Sequence, residues 1–312
     1  MSLTLDSEIA QVFASMGDVS VPELRKGDAL GLREYTDGAL GFLATLEPAS
    51  PDVHTTNHRV PVDGGEILVR WYSKPGALAG PAVVYYHGGG MVCGSVELYD
   101  SLVKRYVQDT SIPFLSVDYR LSPEHPGTCL VEDGYAALTW FAERADDFGA
   151  SQDRIAVMGD SGGGGVAAGV AIAARDGGTA LARQILIYPM LDDRNVIPDP
   201  EIAAYATWTY DNNFTGWQAL LGDDRGTASV SPLAAPARLE DFRGLAPAYI
   251  EVGELDVFRD ESVDYARRLQ LAGVSTELHV HRGVPHAFER LAPAAGVSRR
   301  SYADRLRAIE AV

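Results

Sequence analysis

Apolar positions along the chain recur in short runs that are separated by longer amphipathic segments. Runs rich in Val, Ile and Tyr, each of strand length, alternate with stretches of helical periodicity. This alternation is typical of a mostly parallel sheet covered by helices. The predicted strands are Ala82–Tyr86, Phe114–Tyr119, Ile155–Gly159, Gln184–Tyr188, Tyr249–Gly253 and Glu277–His281. The predicted helices are Tyr99–Gln108, Val131–Asp147, Val166–Arg175, Asp260–Ala272 and Ser298–Ile309.

Two earlier runs of strand character modify this picture. Arg59–Val62 and Glu66–Tyr72 flank Asp63-Gly64-Gly65, a turn signal that favours an antiparallel hairpin. The sheet is therefore expected to be mixed.

Two segments do not follow the alternation, and we expect them to fold over one end of the sheet as a cap. They are residues 1–55 and 192–224, and the predicted α/β core comprises residues 56–191 and 225–312. Four aromatic side chains in the second segment are Trp208, Tyr210, Phe214 and Trp217. They either line a binding site or only anchor a long insertion.

Composition narrows the class of protein. The 312 residues are 46% hydrophobic and 22% charged, which is typical of a globular domain with one large core. A net charge of −17 argues against nucleic acid and anionic membrane surfaces as partners. Cys93 and Cys129 are too few for a disulfide framework. The first residues lack the pattern of a signal peptide, and no apolar run has the length of a membrane span, so a cytoplasmic location is expected.

A serine occupies a sharp turn between a predicted strand and a predicted helix. Gly159-Asp160-Ser161-Gly162-Gly163 fits G-x-S-x-G, and small neighbours permit the strained backbone that lifts such a hydroxyl above a sheet. Ser161 is therefore a candidate nucleophile. A glycine-rich turn with a bystander serine would explain the same residues.

A second glycine-rich loop follows the strand that ends at Tyr86. Backbone N–H groups of His87-Gly88-Gly89-Gly90 can point into a site, where they would stabilise the oxyanion formed when a nucleophile attacks an ester. Gly88 and Gly89, together with Gly162 after the serine, are the predicted donors. A tight turn that uses glycine only for its positive φ is the alternative.

A serine nucleophile requires a base and a carboxylate, and other strand ends offer both. Of the seven histidines, His286 lies in a loop directly after the last predicted strand. Asp256 follows the strand Tyr249–Gly253, at the carboxyl end where open α/β sheets gather their ligands. Its rivals are Glu254 and Asp260, and Asp260 is expected to be the N-cap of the next helix.

Together these motifs resemble the hormone-sensitive-lipase-like branch of the α/β-hydrolases, microbial esterases with an HGGG loop and a GDSAGG elbow. The order serine, aspartate, histidine along the chain is that of the α/β-hydrolase triad. The matching segments are 85–90, 118–126, 159–163, 256–261 and 285–289.

The resemblance implies an α/β-hydrolase fold with a mostly parallel mixed sheet, flanking helices and a small helical cap. It implies that Ser161, Asp256 and His286 form the triad and that the two glycines after His87 line the oxyanion hole. It also implies hydrolysis of small, short-chain acyl esters with no cofactor and no metal. Relatives often pair through the sheet edge near the last strands, so a homodimer is expected on the same basis.

The chain departs from the family pattern in the elbow. Relatives usually carry Ala at position 162 and Asn at position 165, whereas here both are glycine. Each glycine inside a helix costs about 1 kcal/mol relative to Ala, so a looser first turn is expected after Ser161.

Three other functions compete with ester hydrolysis. Gly162, Gly164 and Ala167 fit a lone dinucleotide-binding pattern, which leaves the other motifs unexplained. His279, His281 and His286 could be proposed as metal ligands, but no carboxylate partner is evident. A ligand-binding protein that keeps the fold without catalysis, as plant gibberellin receptors do, is the third. Those receptors lack the triad histidine, so the presence of all three triad residues favours an enzyme.

Overall fold

The structure is a computed structural model, and it describes residues 3–16, 24–77 and 79–312. Within these residues eight strands form one sheet. Their bounds are β1 His54–Val62, β2 Gly65–Ser73, β3 Gly80–Tyr86, β4 Phe114–Asp118, β5 Ala150–Asp160, β6 Arg183–Ile187, β7 Ala248–Gly253 and β8 Thr276–His281. The helices are α1 Ser7–Met16, α2 Ala29–Leu46, α3 Asp100–Thr110, α4 Cys129–Ala142, α5 Gly162–Gly177, α6 Pro200–Ala203, α7 Tyr210–Leu221, α8 Arg259–Leu271, α9 Phe288–Leu291 and α10 Gly296–Glu310.

The sheet is mixed, as the sequence predicts. Its strand order is β1-β2-β4-β3-β5-β6-β7-β8. The pairs β1–β2 and β2–β4 are antiparallel, and all other neighbours are parallel. Val62 pairs with Gly65, so Asp63 and Gly64 form the hairpin turn, and Gly64 supplies its positive φ of 76°.

The central strands are buried on both faces, which explains why they appear in the sequence as continuous apolar runs. Every residue of β7 is buried, and so is every residue of β3 after Gly80. Because these strands run parallel, their carboxyl ends meet at one edge of the sheet, and the loops that leave that edge can converge.

Two helices differ from their predicted bounds by more than two residues, each for a local reason. The helix predicted to reach Asp147 ends at Ala142, and a 3₁₀ turn over Ala145–Phe148 follows it. This turn packs the Phe148 ring 5.0 Å from Trp71, so burial of the ring outweighs continuation of the helix. In contrast, α5 begins at Gly162 instead of Val166, because its glycines pack their backbone directly against neighbouring loops.

The two segments outside the alternation contact each other and the sheet edge. Thr215 on α7 accepts a hydrogen bond from the Gly27 N–H at 2.9 Å, and Lys26 pairs with Asp211 at 2.7 Å. Arg33 on α2 forms a bidentate pair with Glu124 at 2.7 and 2.8 Å. In the part of the chain that the structure describes, no helix combines the length and the apolar character needed to cross a membrane.

Candidate active site

The three predicted side chains leave the same edge of the sheet. Ser161 follows β5 directly, Asp256 lies in the loop after β7, and His286 lies in the loop after β8. All three are nearly or fully buried, with 7% of Ser161, 7% of His286 and none of Asp256 exposed. The parallel arrangement therefore brings together residues that are far apart in the chain.

Ser161 sits in a strained turn that only small neighbours allow. Its φ is 57° and its ψ is −119°, a conformation that costs of order 1–3 kcal/mol for a residue with a side chain. A methyl group on Gly159 would lie 2.1 Å from the Gly163 carbonyl oxygen, and one on Gly163 would lie 2.2 Å from the Tyr86 carbonyl oxygen. Backbone hydrogen bonds hold the turn, because Ser161 N–H donates to the Ile187 carbonyl and the Ser161 carbonyl accepts from Met190 N–H.

The imidazole of His286 bridges the other two side chains. Its Nδ1 lies 2.7 Å from Asp256 Oδ2, and its Nε2 lies 2.9 Å from Ser161 Oγ. A carboxylate only accepts hydrogen bonds, so Nδ1 carries the proton and Nε2 is left to accept from the serine hydroxyl. The second Asp256 oxygen accepts from the Phe258 N–H at 3.0 Å, which fixes the carboxylate plane. The arrangement can therefore move a proton from Ser161 to His286.

The two rivals of Asp256 have other roles in the structure. Glu254 accepts a hydrogen bond from the Gly283 N–H at 2.9 Å and so joins two loops at the sheet edge. The prediction that Asp260 is an N-cap is wrong. The N-cap of α8 is Phe258, and Asp260 lies in the first turn, where it pairs with Arg259 at 2.7 Å. The negative charge of Asp260 there interacts favourably with the positive end of the helix dipole.

The glycine loop after β3 presents a different pair of glycines from the predicted one. Gly89 and Gly90 line the cavity above Ser161, with φ values of 129° and 57°. Gly88, which the sequence places among the donors, is not part of the cavity wall, and a methyl group there would lie 2.5 Å from the Tyr99 hydroxyl. The backbone at Gly88 instead packs against the residue before the serine, since the same methyl group would lie 3.0 Å from the Asp160 carbonyl oxygen.

His87 holds this loop in place. Its ring stacks on Tyr119 at 4.3 Å between centroids, and its Nδ1 donates to the Gly88 carbonyl at 2.9 Å. Burial lowers the pKa of His87, so the neutral form that makes this single donation is favoured. His87 therefore positions the glycine loop.

The glycines that replace the family's Ala and Asn allow close packing. A methyl group on Gly162 would lie 2.6 Å from the Met91 nitrogen and 2.8 Å from the Gly90 nitrogen. One on Gly165 would lie 2.2 Å from the Met190 carbonyl oxygen. The first turn of α5 is regular and buried, and its backbone lies directly against both loops. The amide groups of the elbow and of the glycine loop are thereby brought side by side.

A cavity of about 620 Å³ opens above Ser161 and His286. Tyr35, Leu40 and Leu43 of α2 form part of its wall, and Trp208 and Asp211 contribute from the segment before and at the start of α7. Of the four aromatic residues noted in that segment, Trp208 alone lines this cavity. Tyr210 and Trp217 are buried in the core, and Phe214 packs against the cations of Lys26 and Arg225.

The sequence gives no local signal for three other cavity residues, Tyr99, Tyr188 and Arg290. Tyr188 packs edge-on against the His286 ring, with 4.5 Å between centroids, and donates to Glu289 Oε1 at 2.8 Å. Tyr99, Tyr188 and Arg290 reach the cavity only through the tertiary fold, although Arg290 follows His286 closely in the chain.

Buried charges surround the site from below. Arg305 is 1% exposed and pairs with Glu251 and with Glu289. Although burial opposes ionisation of Glu251, Arg305 beside it holds the pKa of that carboxyl at about 2. Asp160, next to the serine, has no such partner within ion-pair distance among the residues that the structure describes, and burial raises the pKa of its carboxyl to about 6. Tyr85 donates to Asp160 at 2.9 Å.

The geometry argues against the other two chemical functions considered. The glycines of the lone dinucleotide-binding pattern are packed against backbone, since a methyl group on Gly164 would lie 2.9 Å from Pro189, so the elbow has no room for a phosphate. Both ring nitrogens of His286 are already engaged, and His279 pairs with Glu277 at 2.7 Å. Among the described residues no group of three or more His, Cys, Asp or Glu side chains is placed to hold a metal ion.

Comparison with known proteins agrees with this geometry. Residues 83–290 match a family model described as alpha/beta hydrolase fold. Carboxylesterase NlhH of Mycobacterium tuberculosis is 35% identical over 265 residues, which cover 83% of each chain. Carboxylic ester hydrolase LipN of the same organism is 36% identical over 249 residues, which cover 77% of this chain and 66% of LipN. The solved structure of a bacterial heroin esterase superposes with a TM-score of 0.90 at 33% identity, and the match covers 98% of this chain and 97% of that one.

The fold and the site thus define an enzyme of the ester-hydrolysing class. The chain belongs to the α/β-hydrolase family, and the relatives named above are carboxylesterases. The predictions of an α/β-hydrolase fold and of an esterase family are confirmed.

Proposed function

We propose that this protein is a serine carboxylester hydrolase that cleaves short-chain acyl esters through an acyl-enzyme intermediate. One observation carries the proposal: His286 lies 2.9 Å from Ser161 Oγ and 2.7 Å from Asp256 Oδ2 at the floor of a cavity. This contact supports a nucleophile, a base and an orienting carboxylate in a single chain of hydrogen bonds.

In the proposed mechanism His286 Nε2 takes the proton of Ser161 as Oγ attacks the acyl carbon. Asp256 keeps the proton on Nδ1 and stabilises the imidazolium that forms. His286 then returns its proton to the departing alcohol. Water repeats the cycle on the acyl-enzyme and releases the carboxylic acid.

The tetrahedral oxyanion needs preorganised donors, and we assign the N–H groups of Gly89, Gly90 and Gly162 to this role. Gly90 replaces Gly88 in the assignment because Gly90 lines the cavity and its nitrogen lies close to Gly162. Removing one such donor from an oxyanion hole costs roughly 3–4 kcal/mol in the transition state.

We infer that residues 1–55 and 192–224 act together as the cap of the site. Support comes from the contacts between Gly27 and Thr215 and between Lys26 and Asp211, and from the cavity residues that both segments contribute. A cavity of about 620 Å³ is in the range that encloses a small ligand, which supports a small-molecule ester as the substrate.

The decisive experiment measures hydrolysis of p-nitrophenyl esters from acetate to laurate by the purified protein. We expect the largest kcat/KM at a short acyl chain, and reaction with an organophosphonate to add one mass equivalent at Ser161. A protein that binds these esters stoichiometrically without releasing p-nitrophenol would be a ligand-binding member of the fold instead.

Two further expectations from the sequence, a homodimer and a cytoplasmic location, stay predictions. Pairing of two copies would use the outer strand β8, where Val280 is 43% exposed, and sedimentation velocity measures it. The cytoplasmic location is tested by fractionation of the producing cells.

A further inference from the structure

Helix α2 presents two groups of side chains to different parts of the active site. Tyr35 and Leu40 belong to the wall of the cavity. Arg33 and Asp37, which are one helical turn apart, are not part of that wall and instead contact the backbone of residues 92–94. These residues directly follow the glycine loop after β3. The same helix therefore borders the space for the substrate and the loop that we assign to the oxyanion.

The contacts between α2 and residues 92–94 are hydrogen bonds from charged groups to the backbone. Asp37 Oδ1 accepts from the Gly94 N–H at 2.8 Å. Arg33 Nε donates to the Val92 carbonyl at 2.5 Å, and its Nη2 donates to the Ser122 carbonyl at 2.8 Å. Hydrogen bonds in which one partner is ionised are shorter and stronger than neutral ones. Two side chains of α2 thus hold the backbone on both sides of residue 93.

The ion pair of Arg33 with Glu124 contributes less to this attachment. The Arg33 side chain is 23% exposed and that of Glu124 is 49% exposed. Ion pairs with this exposure contribute little to stability, because water screens the charges. The contacts to the backbone are therefore the ones whose loss should matter.

Residues 92 and 93 fix the direction of the Gly90 N–H. The Gly89 carbonyl accepts from the Val92 N–H at 3.1 Å and from the Cys93 N–H at 3.0 Å. In a planar trans peptide the carbonyl and the next N–H point in opposite directions. Since the Gly89 carbonyl points toward residues 92 and 93, the Gly90 N–H points away from them.

Residue 94 constrains the Gly89 N–H in the same way. The Gly88 carbonyl shares a peptide plane with this N–H. It lies 2.9 Å from His87 Nδ1, and a methyl group on Gly94 would lie only 2.3 Å from its oxygen. The Gly94 backbone is therefore packed directly against that peptide, and a displacement of residue 94 would change the direction of the Gly89 N–H.

We propose that Arg33 and Asp37 are positioning residues that fix the N–H groups of Gly89 and Gly90 through the backbone of residues 92–94. The inference rests on the proposed function, in which these groups bind the oxyanion. Because α2 also lines the cavity, its docking over the substrate and the alignment of the two donors become one event. Loss of either contact should weaken binding of the transition state and leave binding of the substrate unchanged.

The test separates affinity for an oxyanion from affinity for the cavity. A trifluoromethyl ketone with a butyl chain adds to Ser161: Oγ bonds to the carbonyl carbon, the hydroxyl proton passes to His286, and the carbonyl oxygen becomes the oxyanion. The trifluoromethyl carbinol with the same chain cannot form this adduct and reports binding in the cavity alone. Inhibition constants of both compounds are measured against p-nitrophenyl butyrate for the wild type and each variant.

Asp37→Ala should lower kcat by roughly tenfold, which is less than the loss of a complete oxyanion donor. The factor should be the same for p-nitrophenyl acetate, butyrate and octanoate, because Asp37 does not line the cavity. KM and the inhibition constant of the carbinol should stay near the wild-type values, whereas the inhibition constant of the ketone should rise by the same factor as kcat falls. Asp37→Asn keeps an oxygen that accepts from Gly94 and should retain most of the activity. Glu34→Ala removes an exposed carboxylate from the same helix and is the matched control.

Several outcomes would overturn the inference. An Asp37→Ala protein with the wild-type affinity for the ketone contradicts it. Equal weakening of the ketone and the carbinol does so too, because Asp37 would then shape the cavity. If Asp37→Ala does not fold, Arg33→Lys is measured in its place. Lysine keeps the charge but not the planar group that reaches two carbonyls, so an unchanged kcat and ketone affinity would contradict the inference. A wild type that hydrolyses no ester contradicts the proposed function itself, whereas an active wild type with an unaffected Asp37→Ala variant contradicts this inference alone.

Discussion

The two sides of the active-site cavity are built by different means. On the sheet side, Gly89, Ser161 and His286 lie in loops that follow the carboxyl ends of strands β3, β5 and β8. On the helix side, Leu40 of α2 and Trp208 present side chains from the two segments outside the alternation of strands and helices. Backbone geometry tolerates almost no substitution, whereas side chains on a helix can be exchanged. We therefore expect changes on the sheet side to affect all esters and changes on the helix side to alter the choice among them.

The largest effect is expected from the three side chains at the centre of the sheet side. Ser161→Ala and His286→Ala should each lower kcat by about 10⁴–10⁶, and Asp256→Asn by somewhat less, because nucleophile and base act as a unit. Assays with p-nitrophenyl butyrate measure this. His54→Ala, at an exposed position on β1, is the matched histidine control. A Ser161→Ala protein with most of its activity would contradict the assignment.

The next largest effect on kcat is expected from a substitution that adds only a methyl group and distorts the backbone of the glycine loop. Gly89→Ala introduces a methyl group 2.0 Å from the Cys93 carbonyl oxygen at a φ of 129°, so the loop must move. We expect kcat to fall by roughly 10²–10³ for short and long esters alike, as for loss of an oxyanion donor. Gly178→Ala is the control, because Gly178 also has a positive φ but no atom within 4 Å of the added carbon. Equal effects of the two variants would show that strain alone is responsible.

On the sheet side, the buried carboxyl of Asp160 makes the free energy of unfolding depend on pH. Burial raises the pKa of the folded carboxyl to about 6, whereas an unfolded Asp titrates near 3.9, so the folded state binds this proton more tightly. The stability contributed by Asp160 is present at low pH and is lost as pH rises from about 4 to 6. Asp160→Asn removes this loss. Urea unfolding should show the variant gaining roughly 1–3 kcal/mol relative to wild type between pH 4.5 and pH 7.5. A difference that does not depend on pH would contradict the raised pKa.

The smallest effect is expected on the helix side. Trp208→Ala enlarges the cavity and should shift the preferred acyl chain toward longer esters, changing the ratio of kcat/KM between octanoate and butyrate by about tenfold. A chain-length series measures this ratio. Phe42→Ala alters an aromatic residue of α2 that is 63% exposed and does not line the cavity, so its ratio should stay at the wild-type value. If Trp208→Ala instead lowered activity equally on esters of every chain length, the helix side would behave like the sheet side, and the comparison would be wrong.

Sequence reasoning succeeded where one motif depends on one local structure. The strand that precedes Ser161, the hairpin at Asp63-Gly64, and the loops that carry Asp256 and His286 all follow from local patterns. The mixed sheet and the family could therefore be predicted.

It failed where the outcome depends on the tertiary environment. The direction of each N–H in the glycine loop depends on backbone angles, so the choice between Gly88 and Gly90 could not be made from composition. The helix after Ser161 starts earlier than propensity indicates because its glycines are buried against other loops.

The glycines at positions 162 and 165 couple three stretches of sequence that are distant in the chain. Any side chain at either position would collide with the backbone of residues 90–91 or of residue 190. If the elbow residues were exchanged one at a time for those of a relative, each single variant would therefore be impaired in folding or activity. Recombined variants should recover only when the elbow and both facing loops come from the same parent.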